Sequence, residues 1–261
     1  MYIAIDVGGT NTRIAASDSL TTPLLVHRVE YVNTRDFPTD YARMIGEIHS
    51  VSADITAIGI SFPGDWTGDE HQKSLPTHNI EWADKPFVHA ISVEFGCPVY
   101  IENDAVCGAL GSTYHEKVEG DFVYITWGTG IGGAQVTYDG KNITATQLEW
   151  DTCLKSFEGA CGGANLEKKY GKPGDQLSED EWYAIMSDFQ TELSIFLGKL
   201  QPSHIIIGGG ITTRQKSRIA NALSHLQNTS DHHPRISISS LGDDAGLYGG
   251  LELIRRGTYT V

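Results

Sequence analysis

The stretch IAIDVGGTNTRIA, residues 3–15, sets two apolar runs on either side of Gly8-Gly9. The pattern fits two short strands, over 1–5 and 12–17, joined by a tight turn. Adjacent glycines let the backbone N–H groups of Gly8, Gly9, Thr10 and Asn11 turn into one concavity, a natural cradle for an anion. Asp6 closes the first strand and is placed to hold Mg²⁺ through water. That ion is commonly bound by one or two carboxylates plus phosphate oxygens. Gly-Gly is also a common hairpin turn without any ligand, so the local sequence leaves both readings open.

A second stretch, FVYITWGTGIGGAQVTYDG, residues 122–140, repeats the plan. It predicts a strand over 122–127, a glycine turn over 128–133 and a strand over 134–138, ended by Asp139-Gly140. The turn matches G-x-G-x-x-G, but a dinucleotide fingerprint needs a helix after the glycines, and an alternating strand follows here. A second phosphate hairpin, through Thr129 and Gly130, fits better. No G-x-x-x-x-G-K-[ST] occurs, which excludes a P-loop. Two glycine-turned hairpins far apart in one chain suggest two lobes built alike.

Around these hairpins the pattern is α/β. A third strand is expected over 24–32. A helix is expected over 37–51, where Tyr41, Met44, Ile45 and Ile48 recur at helical spacing. A buried strand over 55–61 leads into a loop rich in Gly, Pro and Asp over 62–78. A helix over 85–95 ends at Gly96, and a strand over 99–102 runs into Asn103-Asp104 and a helix over 105–115. Later come a long helix over 178–200, with Trp182, Ile185, Phe189, Leu193 and Phe196 on one stripe, and a strand over 204–207. Helices over 213–226 and 244–255 complete the chain.

The 261 residues carry a net charge of −14, with 40% hydrophobic and 20% charged residues. This is an ordinary globular composition with ample length for a core. The acidic balance argues against nucleic acid and anionic membrane surfaces as partners. An anionic ligand must therefore be held locally. No signal peptide and no apolar run long enough to span a bilayer is visible, so a cytoplasmic location is expected. Cys97, Cys107, Cys153 and Cys161 form no CxxC pair and read as reduced thiols, and no zinc is expected.

Two further sites carry chemistry. Asn103-Asp104 lies at the end of a strand and the start of a helix, a usual place for ligand-facing residues in α/β folds. Capping the helix is the plainer reading of one of the two. Gly208-Gly209-Gly210 follows a strand and leads toward a helix. Such a run lets a flat ligand approach the backbone, and it is equally well a flexible turn.

Taken in order, these pieces resemble the ROK family of sugar kinases, its glucokinase-like branch, over essentially the whole chain. IAIDVGGTNTRIA resembles the first phosphate motif, GISFPGD (59–65) the sugar-lobe loop, and HNIEW (78–82) a sugar-contacting N-x-x-W segment. IENDAVCGALG (101–111) resembles the catalytic Asn-Asp segment, and ITWGTGIGGA (125–134) the second phosphate motif. HIIIGGGI (204–211) and LGDDAGLYGG (241–250) resemble the adenosine region. The resemblance implies the actin-like, RNase H-like (hexokinase-type) two-lobe fold, with lobes at 1–105 plus 245–261 and at 106–244. It implies ATP and Mg²⁺ as cofactors, glucose as the first acceptor, and a homodimer. Asp104 would be the general base taking the sugar hydroxyl's proton. Gly64, Asn79, Asn103, Glu158 and Glu149 would lie along the sugar. Asp6, Gly8, Gly9, Thr10, Asn11, Thr129, Gly130, Gly209 and Gly210 would hold the nucleotide and its metal. Glu158 sits in FEGACGGANLEKKYG (157–171), which resembles an E-x-x-x-S-G segment before a helix; a solvated surface Glu is its plainer reading.

The sequence also departs from the family. Gln147-Leu148-Glu149-Trp150 stands where E-x-G-H is usual, so Gln147 replaces the Glu unless Glu149 has shifted in, and Trp150 replaces the His. The Cys-rich zinc motif is missing. Trp150 could stack on a sugar face. Other readings are a kinase for an N-acetylhexosamine, fructose or mannose, a polyphosphate-dependent glucokinase, a non-catalytic sugar-sensing protein, and an actin-like ATPase.

Overall fold

In the first glycine hairpin, strand β1 (Tyr2–Val7) pairs antiparallel with β2 (Asn11–Ser17), which pairs antiparallel with β3 (Val26–Val32). The computed structural model describes residues 1–23, 25–51, 54–64, 66–67, 73–74, 81–82, 84–227 and 234–257. These fall into two units, Met1–His115 with Asp244–Val261, and Glu116–Asp243. The divide between His115 and Glu116 keeps the helix over 104–115 whole, in the first unit.

In the first unit, α1 (Phe37–Val51) follows β3 and leads to β4 (Ala57–Phe62). The loop beyond it contains a two-stranded ribbon, β5 (Trp66–Thr67) with β6 (Lys73–Ser74). Then come α2 (Phe87–Phe95), β7 (Val99–Asn103) and α3 (Asp104–His115). The sheet order is β3-β2-β1-β4-β7, with β1, β4 and β7 parallel. β4 is buried along its whole length, as the continuous apolar run of a doubly covered strand requires. Alternation along β1 sends Ile3 and Ile5 into a core with Met44 and Ile48 of α1 and Phe87 and Ile91 of α2. Ala4 points to the other face, against Leu247, Leu251 and Ile254 of the chain's final helix. That helix lies close on the sheet because Gly59 faces Gly250: a Cβ on Gly59 would stand 1.9 Å from the Gly250 carbonyl oxygen.

In the second unit, β8 (Phe122–Trp127), β9 (Ile131–Tyr138) and β10 (Ile143–Gln147) form an antiparallel meander. After a π-turn at Trp150–Leu154 come α4 (Lys155–Cys161), α5 (Gly163–Tyr170) and α6 (Glu179–Leu200). Then follow β11 (His204–Gly208), α7 (Gly210–Arg214), α8 (Lys216–Gln227) and β12 (Arg235–Ile238). The final helix, α9 (Ala245–Arg256), belongs to the first unit. The sheet order is β10-β9-β8-β11-β12, with β8, β11 and β12 parallel. α6 starts at a capping box, in which the Ser178 hydroxyl accepts from Glu181 N and the Glu181 carboxylate accepts from Ser178 N. Its stripe meets the sheet where the Phe189 ring stacks on Trp127 at 4.6 Å.

Several expectations are corrected. The second glycine turn is shorter than 128–133, because β9 already begins at Ile131 and Gly132 and Gly133 pair within it. β10 and β12 were not read from the sequence; both are short edge strands. The helix expected over 213–226 is two helices that part at Gln215. No helix among the described residues is long and apolar enough to cross a membrane.

Candidate active site

The first unit gathers its chemistry at the C-terminal ends of its parallel strands. Asp6 on β1, Ser61 on β4 and Glu102 on β7 are neighbours in register, and Arg13 and Glu30 continue the same row onto β2 and β3. A polar row thus crosses the whole sheet. Ser61 donates its hydroxyl to Asp6 Oδ1 at 2.7 Å, Arg13 Nη1 lies 3.5 Å from Asp6 Oδ2, and Arg13 Nη2 lies 3.0 Å from Glu30. The first turn of α9 closes over Asp6: a Cβ on Gly246 would stand 2.2 Å from Asp6 Oδ1. The positive end of that helix favours the carboxylate beneath it.

The glycine turn beside Asp6 is shaped by a residue that sequence reasoning missed. Gly8 N donates to Asn11 O at 2.9 Å, closing the hairpin. Asn33 braces it from outside: its amide donates to Gly8 O at 2.7 Å, its side-chain oxygen accepts from the Thr12 hydroxyl at 2.8 Å, and its backbone N donates to Thr10 O at 2.8 Å. The Asn11 amide donates to Glu30 at 2.9 Å. Asn33 lies just past β3, with no spacing that links it to residues 8–12; only the β2–β3 pairing brings them together.

Asn103 caps α3, as expected of one of the two, its Oδ1 also accepting from Val106 N at 3.3 Å, while Asp104 is the first residue of the helix. Asn103 Oδ1 accepts from Ala105 N at 2.9 Å and Asp104 Oδ1 from the same N–H at 2.8 Å. Asn103 is buried, and its amide reaches back to the Gly64 carbonyl at 3.3 Å, tying down the loop after β4. Gly64 holds φ at +135°, a conformation open to glycine. Asp104 is half-buried at the strand end. Burial pushes the Cys107 thiol well above its ordinary pKa, and the charges of Glu102, Asp6 and Asp104 push the same way. That thiol therefore stays protonated. Asn79 lies outside the described residues.

The second unit holds its glycine turn with main chain. Gly128 N donates to Gly130 O at 3.0 Å, while Gly163 N and Ala164 N donate to Gly128 O and Thr129 O at 3.0 and 2.8 Å. Glu158 lies inside the short α4, and its segment runs directly into α5 as expected; its Oε2 accepts from Ile131 N at 2.8 Å where β9 leaves the turn. That carboxylate oxygen fixes the turn. Glu149 is exposed at the start of the π-turn, and Gln147 is exposed on the edge strand opposite Ala134. Trp150 is half-buried against the second unit's core, with Lys155 Nζ 5.4 Å from its ring centre. Gly209 holds φ at +94°, and a Cβ there would stand 2.5 Å from the Trp127 carbonyl oxygen. The fold itself therefore requires glycine at that turn, whatever binds beside it. Among the described residues no group of three or more His, Cys, Asp or Glu gathers as a metal site.

Comparison with known proteins agrees with this arrangement. The sequence profile of the ROK family matches residues 2–147. A glucokinase from Halalkalibacterium halodurans is 25% identical, over 98% of this chain and 95% of its own. A fructokinase from Streptococcus mutans is 24% identical over 87% and 86%. Among solved structures, a ROK family glucokinase from Streptomyces griseus, in complex with glucose and AMPPNP, superposes with a TM-score of 0.74 at 19% identity, covering 98% of this chain and 99% of that one. The fold is the actin-like, RNase H-like ATPase fold, and with its profile matched across more than half its length the chain belongs to the ROK family.

Proposed function

We propose that this protein phosphorylates a hydroxyl of a hexose, glucose first, using ATP, with Asp104 as the general base. The observation that carries the proposal is the placement of Asp104. It is a half-buried carboxylate at the C-terminal end of a parallel strand, fixed by Ala105 N and beside the Asn103–Gly64 tie. A base must be held rigidly within reach of the proton it takes, and the start of α3, capped by Asn103, holds Asp104 in place. The Asp104 carboxylate would accept the proton as the hydroxyl oxygen attacks the terminal phosphorus. In phosphoryl transfer the remaining barrier is chiefly positioning and charge stabilisation.

Gly8 to Asn11 and Thr129-Gly130 are the residues proposed for the donor's phosphates, and Gly209 and Gly210 those proposed for its nucleoside. A magnesium ion, when bound, would shield the phosphate charge. The residues fit such an ion in one way. Asp6 offers a single carboxylate, 14% exposed, with the Ser61 hydroxyl on Oδ1 and Arg13 Nη1 3.5 Å from Oδ2. It suits an outer role through water, with phosphate as the main ligand. Gly64, Asn79, Asn103, Glu158 and Glu149 remain the residues proposed along the sugar. A homodimer and a cytoplasmic location complete the proposal.

The test is ADP formation across a panel of hexoses and N-acetylhexosamines, with ATP and then polyphosphate as donor. Asp104→Asn keeps the side chain's shape and its oxygen toward Ala105 N but removes the base, so sugar-dependent turnover should fall by about a hundredfold or more while ADP binding persists. No sugar-dependent turnover with any acceptor or donor would overturn the kinase reading in favour of a sugar-sensing protein.

A further inference from the structure

The second unit keeps one exposed cation over the backbone where β11 passes into α7. Arg214 lies one helical turn beyond Gly210 and folds back toward it: a Cβ on Gly210 would stand 2.6 Å from Arg214 Nη2 and 3.3 Å from its Cζ. The guanidinium therefore occupies the space that any side chain at 210 would fill. Asp243 lies beside it, with Oδ1 3.2 Å from the same point and Oδ2 3.9 Å from Arg214 Nη1. Despite these neighbours the Arg214 side chain is 60% exposed. A planar cation is thus laid against a bare stretch of main chain, tethered loosely by a carboxylate and open to solvent.

This arrangement sits at the C-terminal end of the parallel strand β11, where α/β sheets take their ligands. Guanidinium groups stack on aromatic faces, and they do so better than ammonium groups because they are planar and weakly hydrated. We propose that Arg214 is a donor-specificity residue, whose guanidinium covers one face of the donor's nucleobase, with Asp243 setting its orientation. The inference rests on the kinase reading above and deepens it. A donor with a base gains this contact, and a donor made of phosphates alone does not.

The test is calorimetric titration of the full-length protein with ADP and, separately, with tripolyphosphate. The series is wild type, Arg214→Ala and Arg214→Lys, each checked by thermal melting. Because Arg214 is exposed, both variants should fold. Arg214→Ala should weaken ADP binding about tenfold, the size of a partly desolvated cation–π contact, and leave tripolyphosphate binding within about twofold. Arg214→Lys, which keeps the charge and loses the plane, should recover only part of the ADP affinity. Equal losses for both ligands would overturn the proposal by making Arg214 a phosphate contact, and so would no loss for either. Wild type that binds tripolyphosphate but not ADP overturns the inference and leaves a polyphosphate kinase. Wild type that binds neither and shows no sugar-dependent turnover removes the kinase reading with it.

Discussion

The two glycine hairpins are built on the same strand plan and held by different means. Each opens a three-stranded meander whose first strand also starts a parallel arm, giving the matching orders β3-β2-β1-β4-β7 and β10-β9-β8-β11-β12. In the first, the strand before the glycines ends in a charged pair, Asp6 facing Arg13, and the turn is braced by the Asn33 side chain. In the second, the equivalent cross-strand pair is Thr126 with Gly132, and the turn is braced mainly by N–H groups of Gly163 and Ala164. One scaffold thus yields a turn held by side chains and a turn held mostly by main chain, to which the Glu158 carboxylate adds a side-chain brace. A charged row suits a site that must manage a cation and a proton. A backbone cradle suits one that only seats an anion.

The largest effect that would sharpen this contrast comes from adding one methyl to each hairpin region. Gly209→Ala forces a side chain into the Trp127 backbone at φ +94°. Backbone strain and overpacking together should cost about 4 kcal/mol, seen as a large fall in melting temperature or loss of soluble protein. Gly8→Ala meets only the Asn11 carbonyl, at 2.9 Å, and should cost about 1–2 kcal/mol. The reverse order would break the claim that the second turn is the more rigidly specified.

Removing the braces is the next step down. Asn33→Ala strips the Gly8 carbonyl of a donor and leaves the Thr12 hydroxyl, 1% exposed, without its acceptor. It should cost about 2–3 kcal/mol in chemical denaturation. Glu158→Ala removes one acceptor, from Ile131 N, while the Gly163 and Ala164 bonds remain. About 1 kcal/mol is expected there, and equal costs would erase the distinction between side-chain and main-chain bracing.

The smallest effect concerns acid. Burial raises the Glu30 pKa, but Arg13, Asn11 and Arg28 outweigh it, and the net shift is downward from 4.5. The unfolded chain then takes up the proton first, so this stabilisation is present above about pH 4.5 and is lost as pH falls through the lowered folded value. Wild type should lose melting temperature across that window more steeply than Glu30→Gln. Because the Glu30 side chain is 32% exposed, the difference should be a few degrees at most. Parallel profiles would show that the charged row does not feed into stability.

How far the sequence could be read depended on the range of the forces involved. The helix over 37–51 was legible to the residue, because its apolar spacing is a local pattern. So were the strand over 122–127 and the C-terminal end of α2, which Gly96 closes at φ +61°. The edge strands β10 and β12 were not legible. β10 carries a mostly polar run with exposed positions, and β12 is four residues long, so pairing with a neighbour defines them. The site divided in the same way. Asp6, the glycine turns and Asn103-Asp104 stood out as residue types at strand ends. Asn33 did not, because an Asn after a strand is ordinary until the sheet sets it beside Gly8.

By itself the sequence determined the two hairpins, the alternation of strands and helices, and the residues able to do chemistry. Those depend on periodicity, on glycine's backbone freedom and on the charge of single side chains. Tertiary structure alone decided that Asp6, Ser61, Glu102, Arg13 and Glu30 form one row, that Glu158 holds a turn, and that Arg214 lies on Gly210. Those contacts join residues brought together by strand register and helix packing, and in every case the partner is chosen by geometry in space.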